Sequence, residues 1–283
     1  MTNISLAHFQ SAAESAAISG NLNQKLTVTD SGDLQTREAS SSLAGKLVSW
    51  HKLSSSEGTA KAQDQGAFRT ALQDKFGKDL GEQAYKHACS ACGYTDGKAH
   101  SLTAKQISTG IDFAVRQDLH KQGAVAQNKD IIQHFANNPN ELATQGIVRV
   151  PGVKSVIDNL VSSRNADALE GTSAHALAST FKQNLRDNLT EADSRIVLGF
   201  VEQFKQDNNE LPQFGELPEL VQDAVHFAKM VEEHKDANSM KASNLGICFG
   251  PSITKDDGLE PMAALALNQT KTQFFTALIT RAD

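Results

Sequence analysis

Apolar residues recur along most of the chain at intervals of three and four, the period of a helix with one buried face. Leu43, Leu47, Trp50 and Leu53 open this pattern and predict a helical cluster over 43–53. Periodic segments continue at 66–76 and 79–91, and Thr103 with Gln106 in TAKQ reads as a capping box ahead of a stripe of Ile107, Ile111, Ala114 and Leu119. These segments predict a small helical domain over 43–127, ending in the connector HKQGAVAQNK. From 128 the pattern strengthens. A short helix at 130–135 is interrupted by Asn137, Asn138 and Pro139, a further turn follows at 140–145, and Val153, Val156, Ile157 and Leu160 then line one helix face. Thr172 or Ser173 caps a helix carrying Leu177, Phe181, Leu185 and Leu189, and Thr190 with Asp193 caps the next, at 190–206. Pro218 sits at a typical helix start before Val221, Ala224, Ala228 and Val231, and a last helical region at 261–281 holds Leu265, Leu267, Phe274, Phe275, Leu278 and Ile279.

The first 42 residues break this regularity. Ser, Thr, Asn, Gln and Gly dominate, the apolar positions are scattered, and a flexible leader over 1–42 is expected. Leu26 and Val28 alternate with Thr27 and Thr29, so a short strand at 25–29 is the one ordered element the leader suggests, and it needs a partner. Few other stretches alternate beyond four residues, and the expected fold class is therefore all-α.

Composition narrows the functions. With 27 basic and 33 acidic residues the formal net charge is −6, which argues against a nucleic-acid backbone binder. No apolar run reaches about 18 residues, and the N-terminus has neither the basic patch nor the apolar stretch of a Sec signal peptide. Three cysteines, Cys89, Cys92 and Cys248, are too few for a disulfide framework. The Cys89/Cys92 pair closes a helical segment, lacks two further well-spaced zinc ligands, and reads as structural. No phosphate-binding glycine loop, zinc-protease helix, nucleophile elbow or calcium loop occurs. Glu232 with Glu233 and Glu191 with Asp193 read as solvated or capping carboxylates, and His226 and His234 stand about two turns apart, too far for ordinary metal ligation.

Three segments stand out. In GIVRVPG, 146–152, one long basic side chain interrupts an apolar, glycine-rich run, so that Val148 and Val150 can bury while turns at Gly146 and Gly152 push Arg149 outward. A packing or solvent-facing arginine has the same local appearance. Lys182 and Arg186 share a helix face four residues apart and put positive charge on an acidic chain. In NSMKASNLGICFGPS, 238–252, Asn244 either caps local backbone or points into a groove.

Together, in this order, these segments resemble the Rho GTPase-activating domain, the RhoGAP family. GIVRVPG with the following VKSVIDNL resembles the family's arginine-finger loop, commonly GIFRVSG. HALASTFKQNLRDNL resembles its segment with a lysine and an arginine after an apolar helix face, and NSMKASNLGICFGPSI resembles NKMxxxNLAxxFGPxL. The resemblance covers about 128–283 and implies a RhoGAP-like helical bundle that docks on the switch regions of a Rho, Rac or related small GTPase. It implies that Arg149 is the arginine finger, that Lys182 helps hold the finger loop, that Arg186 is a basic structural residue one turn later, that Asn244 contacts the GTPase, and that Asn238 has a more structural role. GTP and Mg²⁺ belong to the partner, and no cofactor is expected of the chain itself. Two departures bear on partner choice and activity: Pro151 stands where the family has serine, and Asn188-Leu189 where it has leucine-proline.

SLTAKQISTGIDFA, 101–114, is similar to a segment that precedes the catalytic parts of several bacterial effectors. That resemblance implies secretion by a non-Sec route into a host cell cytoplasm, with a secretion chaperone as a second partner. Two other functions fit the same sequence: a module that binds or sequesters a Rho-family GTPase without activating it, and a helical scaffold or chaperone-associated protein.

Overall fold

The computed structural model describes residues 4–29, 33–36, 53–94, 100–206, 210–255 and 259–281, with only the backbone of 53–58. The helical cluster expected at 43–53, with Trp50, lies outside the described residues apart from the backbone of Leu53. The described residues are mostly helical, with one small three-stranded sheet among them, and the chain divides into two units, Met1–Leu119 and His120–Asp283.

The first unit is built from helix α1 (Leu6–Ile18), strands β1 (Lys25–Val28) and β2 (Leu34–Thr36), helices α2 (Leu53–Phe76) and α3 (Lys78–Ala91), strand β3 (Leu102–Thr103) and the start of helix α4 (Ala104–Asn137). The expected flexible leader is thus corrected over its described residues: Phe9, Ala13 and Ala16 bury one face of α1 against Phe68, whose ring centroid lies 5.2 Å from that of Phe9. The scattered apolar positions of 1–42 hid this, because two of the three buried residues of α1 are alanines. The strand suggested by Leu26 and Val28 forms, and its missing partners are β2 and β3 on either side, with Leu26 opposite Thr36 and Leu102. Both neighbours are antiparallel and too short to announce themselves by alternation. Thr103 and Gln106 form the expected box, each backbone N–H donating to the other's side-chain oxygen at 3.3 Å.

The expected connector at 120–129 is a second correction, since α4 runs through it unbroken. Ala, Gln and Lys favour a helix there, and Ala124, Gln127 and Asn128 are buried. Gly123 breaks nothing: a Cβ on it would lie 2.8 Å from Arg164 Cδ, so the glycine makes room for that side chain. The division between units therefore falls at 119/120 rather than at 127/128.

The second unit follows the expected helices closely. After α4 ends at Asn137, a 3-10 turn at Pro139–Ala143 leads to the arginine loop and then to α5 (Lys154–Ser163), α6 (Ala174–Asn188), α7 (Glu191–Gln206), α8 (Glu219–Glu232), the short α9 (Lys235–Asn238), α10 (Ala242–Phe249) and α11 (Pro261–Thr280). Ser173 Oγ accepts from the Ala176 N–H, and Thr190 and Asp193 exchange bonds at 3.0 and 3.1 Å, so both expected caps are in place. Burial opposes ionisation of Asp193, but the Lys121 ammonium and the Thr190 hydroxyl and amide outweigh it and hold the carboxyl below its usual range.

The core is a row of rings joining five helices. Phe227 of α8 lies 4.7 Å from Phe181 of α6, 5.2 Å from Phe135 of α4 and 6.4 Å from Phe249 of α10, which stacks on Phe275 of α11 at 5.4 Å. Each ring is fully buried, at about 1.5 to 3 kcal/mol of hydrophobic stabilisation apiece. Leu177 and Leu185 on α6, Leu189 at its C-terminal cap, and Val221, Ala224, Ala228 and Val231 on α8 complete the faces that spacing predicts. The α5 stripe is only half realised: Ile157 and Leu160 are buried, whereas Val153 and Val156 stay exposed next to the arginine loop.

Candidate functional site

The loop between Ala143 and α5 is tied to two other parts of the unit. The Gly146 N–H donates to the Asn238 carbonyl at 2.8 Å, and the Lys182 ammonium donates to the Val148 carbonyl at 3.2 Å. Within the loop the N–H groups of Arg149 and Val150 both donate to the Gly146 carbonyl, at 3.0 and 2.9 Å. Gly146 has φ 69, which glycine tolerates, and Val148 has φ 73, which a β-branched residue rarely adopts. Ile147 and Val148 are buried in the core while Arg149 and Val150 are exposed, so the turn inserts two apolar side chains and turns the guanidinium outward. The expected burial of Val150 does not occur: it is 42% exposed, and with Val153 at 64% it leaves apolar surface beside the arginine.

Asn238 is fully buried and joins three segments. Its side-chain N–H groups donate to the carbonyls of Leu142 and Val231, each at 2.8 Å, and its Oδ1 accepts from the Met240 N–H at 2.7 Å. With its own carbonyl on Gly146, this one residue braces the start of the arginine loop, the end of α8 and the turn into α10. Asn244, on α10, donates to the Ser239 carbonyl at 2.9 Å and so holds a left-handed turn residue, φ 60, next to Asn238. The capping role is therefore the one its amide nitrogen fills, and its side chain stays partly exposed.

Lys182 is half-buried beneath the loop. Arg186, one turn further along α6, is exposed and pairs with its neighbour Asp187 at 2.9 Å, outside the hydrogen bonds that hold the loop. Cys248 lies by the same cluster. Burial pushes its thiol up, and the nearby charges of Lys182 and Arg149 work in the opposite direction. Lys182 and Asn238 thus bond directly to the loop that carries Arg149, Asn244 bonds to the turn next to Asn238, and Arg186 bonds to Asp187.

Sequence reading missed Ser179, whose Oγ accepts from the Gly152 N–H at 3.0 Å, because a serine on a polar helix position carries no signal. It also missed how tightly the loop rests on α6: a Cβ at Gly152 would stand 2.4 Å from Ala176 Cα. Ile247, on α10 between Asn244 and Cys248, is 64% exposed and adds a further apolar side chain on that helix. No group of His, Cys, Asp and Glu that suits a metal ion is present among the described residues. No helix among them is long and apolar enough to cross a membrane.

A cation presented on a pinned loop suits recognition of an anionic group on another molecule. The chain is 26% identical over 161 residues to the Rho GTPase-activating protein gacH of Dictyostelium discoideum. The match takes in 51% of this chain and 28% of the relative, so the chain spans under a third of that protein's length. Among solved structures, the BH domain of Graf, the GTPase regulator associated with focal adhesion kinase, overlaps 56% of this chain and 91% of its own, at 20% identity and a TM-score of 0.43. No protein-family model matches the chain.

Proposed function

We propose that the second unit activates GTP hydrolysis on a Rho-family small GTPase, with Arg149 supplied in trans. The observation that carries this reading is the exposed Arg149 on a backbone held at two points just ahead of it, by Asn238 at Gly146 and by Lys182 at Val148. The partial similarity to a protein named as a Rho GTPase activator supports it.

The chemistry asks little of the chain beyond that arginine. The partner supplies GTP, Mg²⁺ and the group that orients the attacking water. The guanidinium enters from outside and neutralises charge that grows on the phosphoryl oxygens as the bond to the leaving group lengthens. An arginine delivered in this way is worth about 10³ to 10⁵ in rate, or roughly 4 to 7 kcal/mol, against at most about 1 kcal/mol for an exposed ion pair. Such a gain requires the guanidinium to be held in place before the partner arrives, since ordering a mobile side chain costs part of it. The bonds to Gly146 and Val148 serve that end. Val150, Val153 and Ile247 leave apolar surface that a docking partner would cover.

The test is single-turnover hydrolysis by GTP-loaded Rho and Rac with the full chain and its Arg149→Ala variant. Stimulation that falls by at least about 10³ in the variant, with its unfolding midpoint unchanged, supports the reading. Equal stimulation by both proteins overturns it. Tight GTPase binding with no acceleration by the wild-type chain assigns a sequestering module instead.

A further inference from the structure

Helix α6 grips the arginine loop at two points. Lys182 holds the Val148 carbonyl ahead of Arg149, and Ser179, three residues earlier on the helix, accepts from the Gly152 N–H behind it. At the first of these points the backbone is in a conformation that Val148 would not choose: its φ of 73 lies in the left-handed region, where a β-branched side chain is an outlier. Such a residue keeps that conformation only when its surroundings over-determine it. Its side chain is 2% exposed, within the core, and its carbonyl is occupied by Lys182.

The exit side of the loop has fewer means of restraint. Val150 turns its N–H back on Gly146, and Pro151 has none to give, so Gly152 carries the first amide after Arg149 that can be fastened to a neighbouring helix. The fastening point is the Ser179 hydroxyl, and the missing side chain of Gly152 lets the backbone lie directly on α6 at Ala176. If the exit were released, the stretch that carries Arg149 would be fastened to α6 at the entry alone, and the direction of its side chain would be less restrained.

We infer, on the arginine-finger reading above, that Ser179 is a positioning residue for Arg149. Its hydroxyl anchors the outgoing backbone at Gly152, while Lys182 and the core hold Val148 at the entry, and the two anchors together set the direction in which the guanidinium leaves the loop. Ser179 touches neither partner nor nucleotide in this role and acts through the loop alone.

The experiment compares the full-length wild type with Ser179→Ala, which deletes the acceptor, and Ser179→Thr, which keeps a hydroxyl. Two quantities are measured: single-turnover hydrolysis by GTP-loaded Rho and Rac over a range of concentrations of the chain, and the rate of tryptic cleavage after Arg149 in the chain alone. Ser179→Ala is expected to lower the saturating rate about tenfold with the half-saturating concentration unchanged, to speed cleavage after Arg149 by a similar factor, and to be rescued in both by Ser179→Thr. A purely structural serine would lower the unfolding midpoint without dividing the two kinetic constants. Wild-type hydrolysis by Ser179→Ala overturns the inference, whether or not cleavage accelerates. A loss equal in Ser179→Ala and Ser179→Thr overturns it as well. Absence of stimulation by the wild type, with the cleavage difference intact, identifies the finger reading as the failure and removes the positioning role with it.

Discussion

The Lys182 ammonium donates to the Val148 carbonyl at 3.2 Å, across 34 residues of sequence, and so fastens the backbone one residue ahead of the exposed Arg149. Lys182 is half-buried, and its bond runs to main chain rather than to a carboxylate. Lys182→Met, which keeps the aliphatic stem, is expected to leave the helical fold intact and to cut saturating GTPase stimulation by roughly tenfold or more, because the carbonyl loses a charge-assisted donor. Circular dichroism and single-turnover hydrolysis check the two halves of this expectation.

Asn238 makes three side-chain hydrogen bonds in a fully buried site, to the carbonyls of Leu142 and Val231 and from the Met240 N–H. Asn238→Ala takes the side-chain partner from the Leu142 carbonyl and the Met240 amide, leaves the Val231 carbonyl its bond from the His234 N–H, and is expected to destabilise the second unit by roughly 3 kcal/mol. The urea midpoint should fall accordingly, and GTPase stimulation should be lost together with fold stability.

Phe181 lies 4.7 Å from Phe227 in the middle of the aromatic row and carries no polar atom. Phe181→Ala is expected to cost about 3 to 5 kcal/mol, most of it from the cavity left between α6 and α8. Residual GTPase stimulation below the melting transition should match wild type per folded molecule, since the arginine loop loses no partner.

Asp223, on α8, is partly buried with one carboxylate oxygen enclosed and unbonded. Burial pushes its carboxyl up to about 6; the Lys129 ammonium opposes this, and the Glu219 carboxylate adds to it. The folded state therefore holds the Asp223 proton more tightly than the unfolded chain does. Its contribution is fully present below the ordinary carboxylate range, near pH 4, and is lost as pH rises through about 6. Asp223→Asn is expected to raise stability at pH 7 by about 1 kcal/mol after allowance for solvent screening, and to make little difference at pH 4. Urea titrations at the two pH values test the sign.

The second unit was largely legible in the sequence because its burial follows simple spacing. The fours from Leu177 to Leu189 and the run from Val221 to Val231 all reach the core, and Ser173, Thr190 and Asp193 cap the helices they mark. Misreadings arose where a residue's role depends on something distant in sequence. Gly123 looks like a breaker until Arg164 is seen to occupy the space beside it. The leader looked unstructured because Phe9 finds Phe68 and Leu26 finds Leu102 only after folding. Of the candidate site, the outward turn of Arg149 was legible from its apolar, glycine-rich setting. The brace at Asn238 is made of backbone partners that no motif names, and Ser179 has no spacing rule at all.

The brace at Asn238 has a consequence in time. It joins residues 96 positions apart, Leu142 and Asn238, and its own carbonyl receives the Gly146 amide. The turn that displays Arg149 is thus completed by a segment the ribosome releases long afterwards, and contacts between such remote parts of a chain are slow to form. A nascent or truncated protein ending before residue 238 carries the arginine but lacks the brace that shapes its turn. On the arginine-finger reading, competence to act on a partner is in this way withheld until most of the second unit has been made.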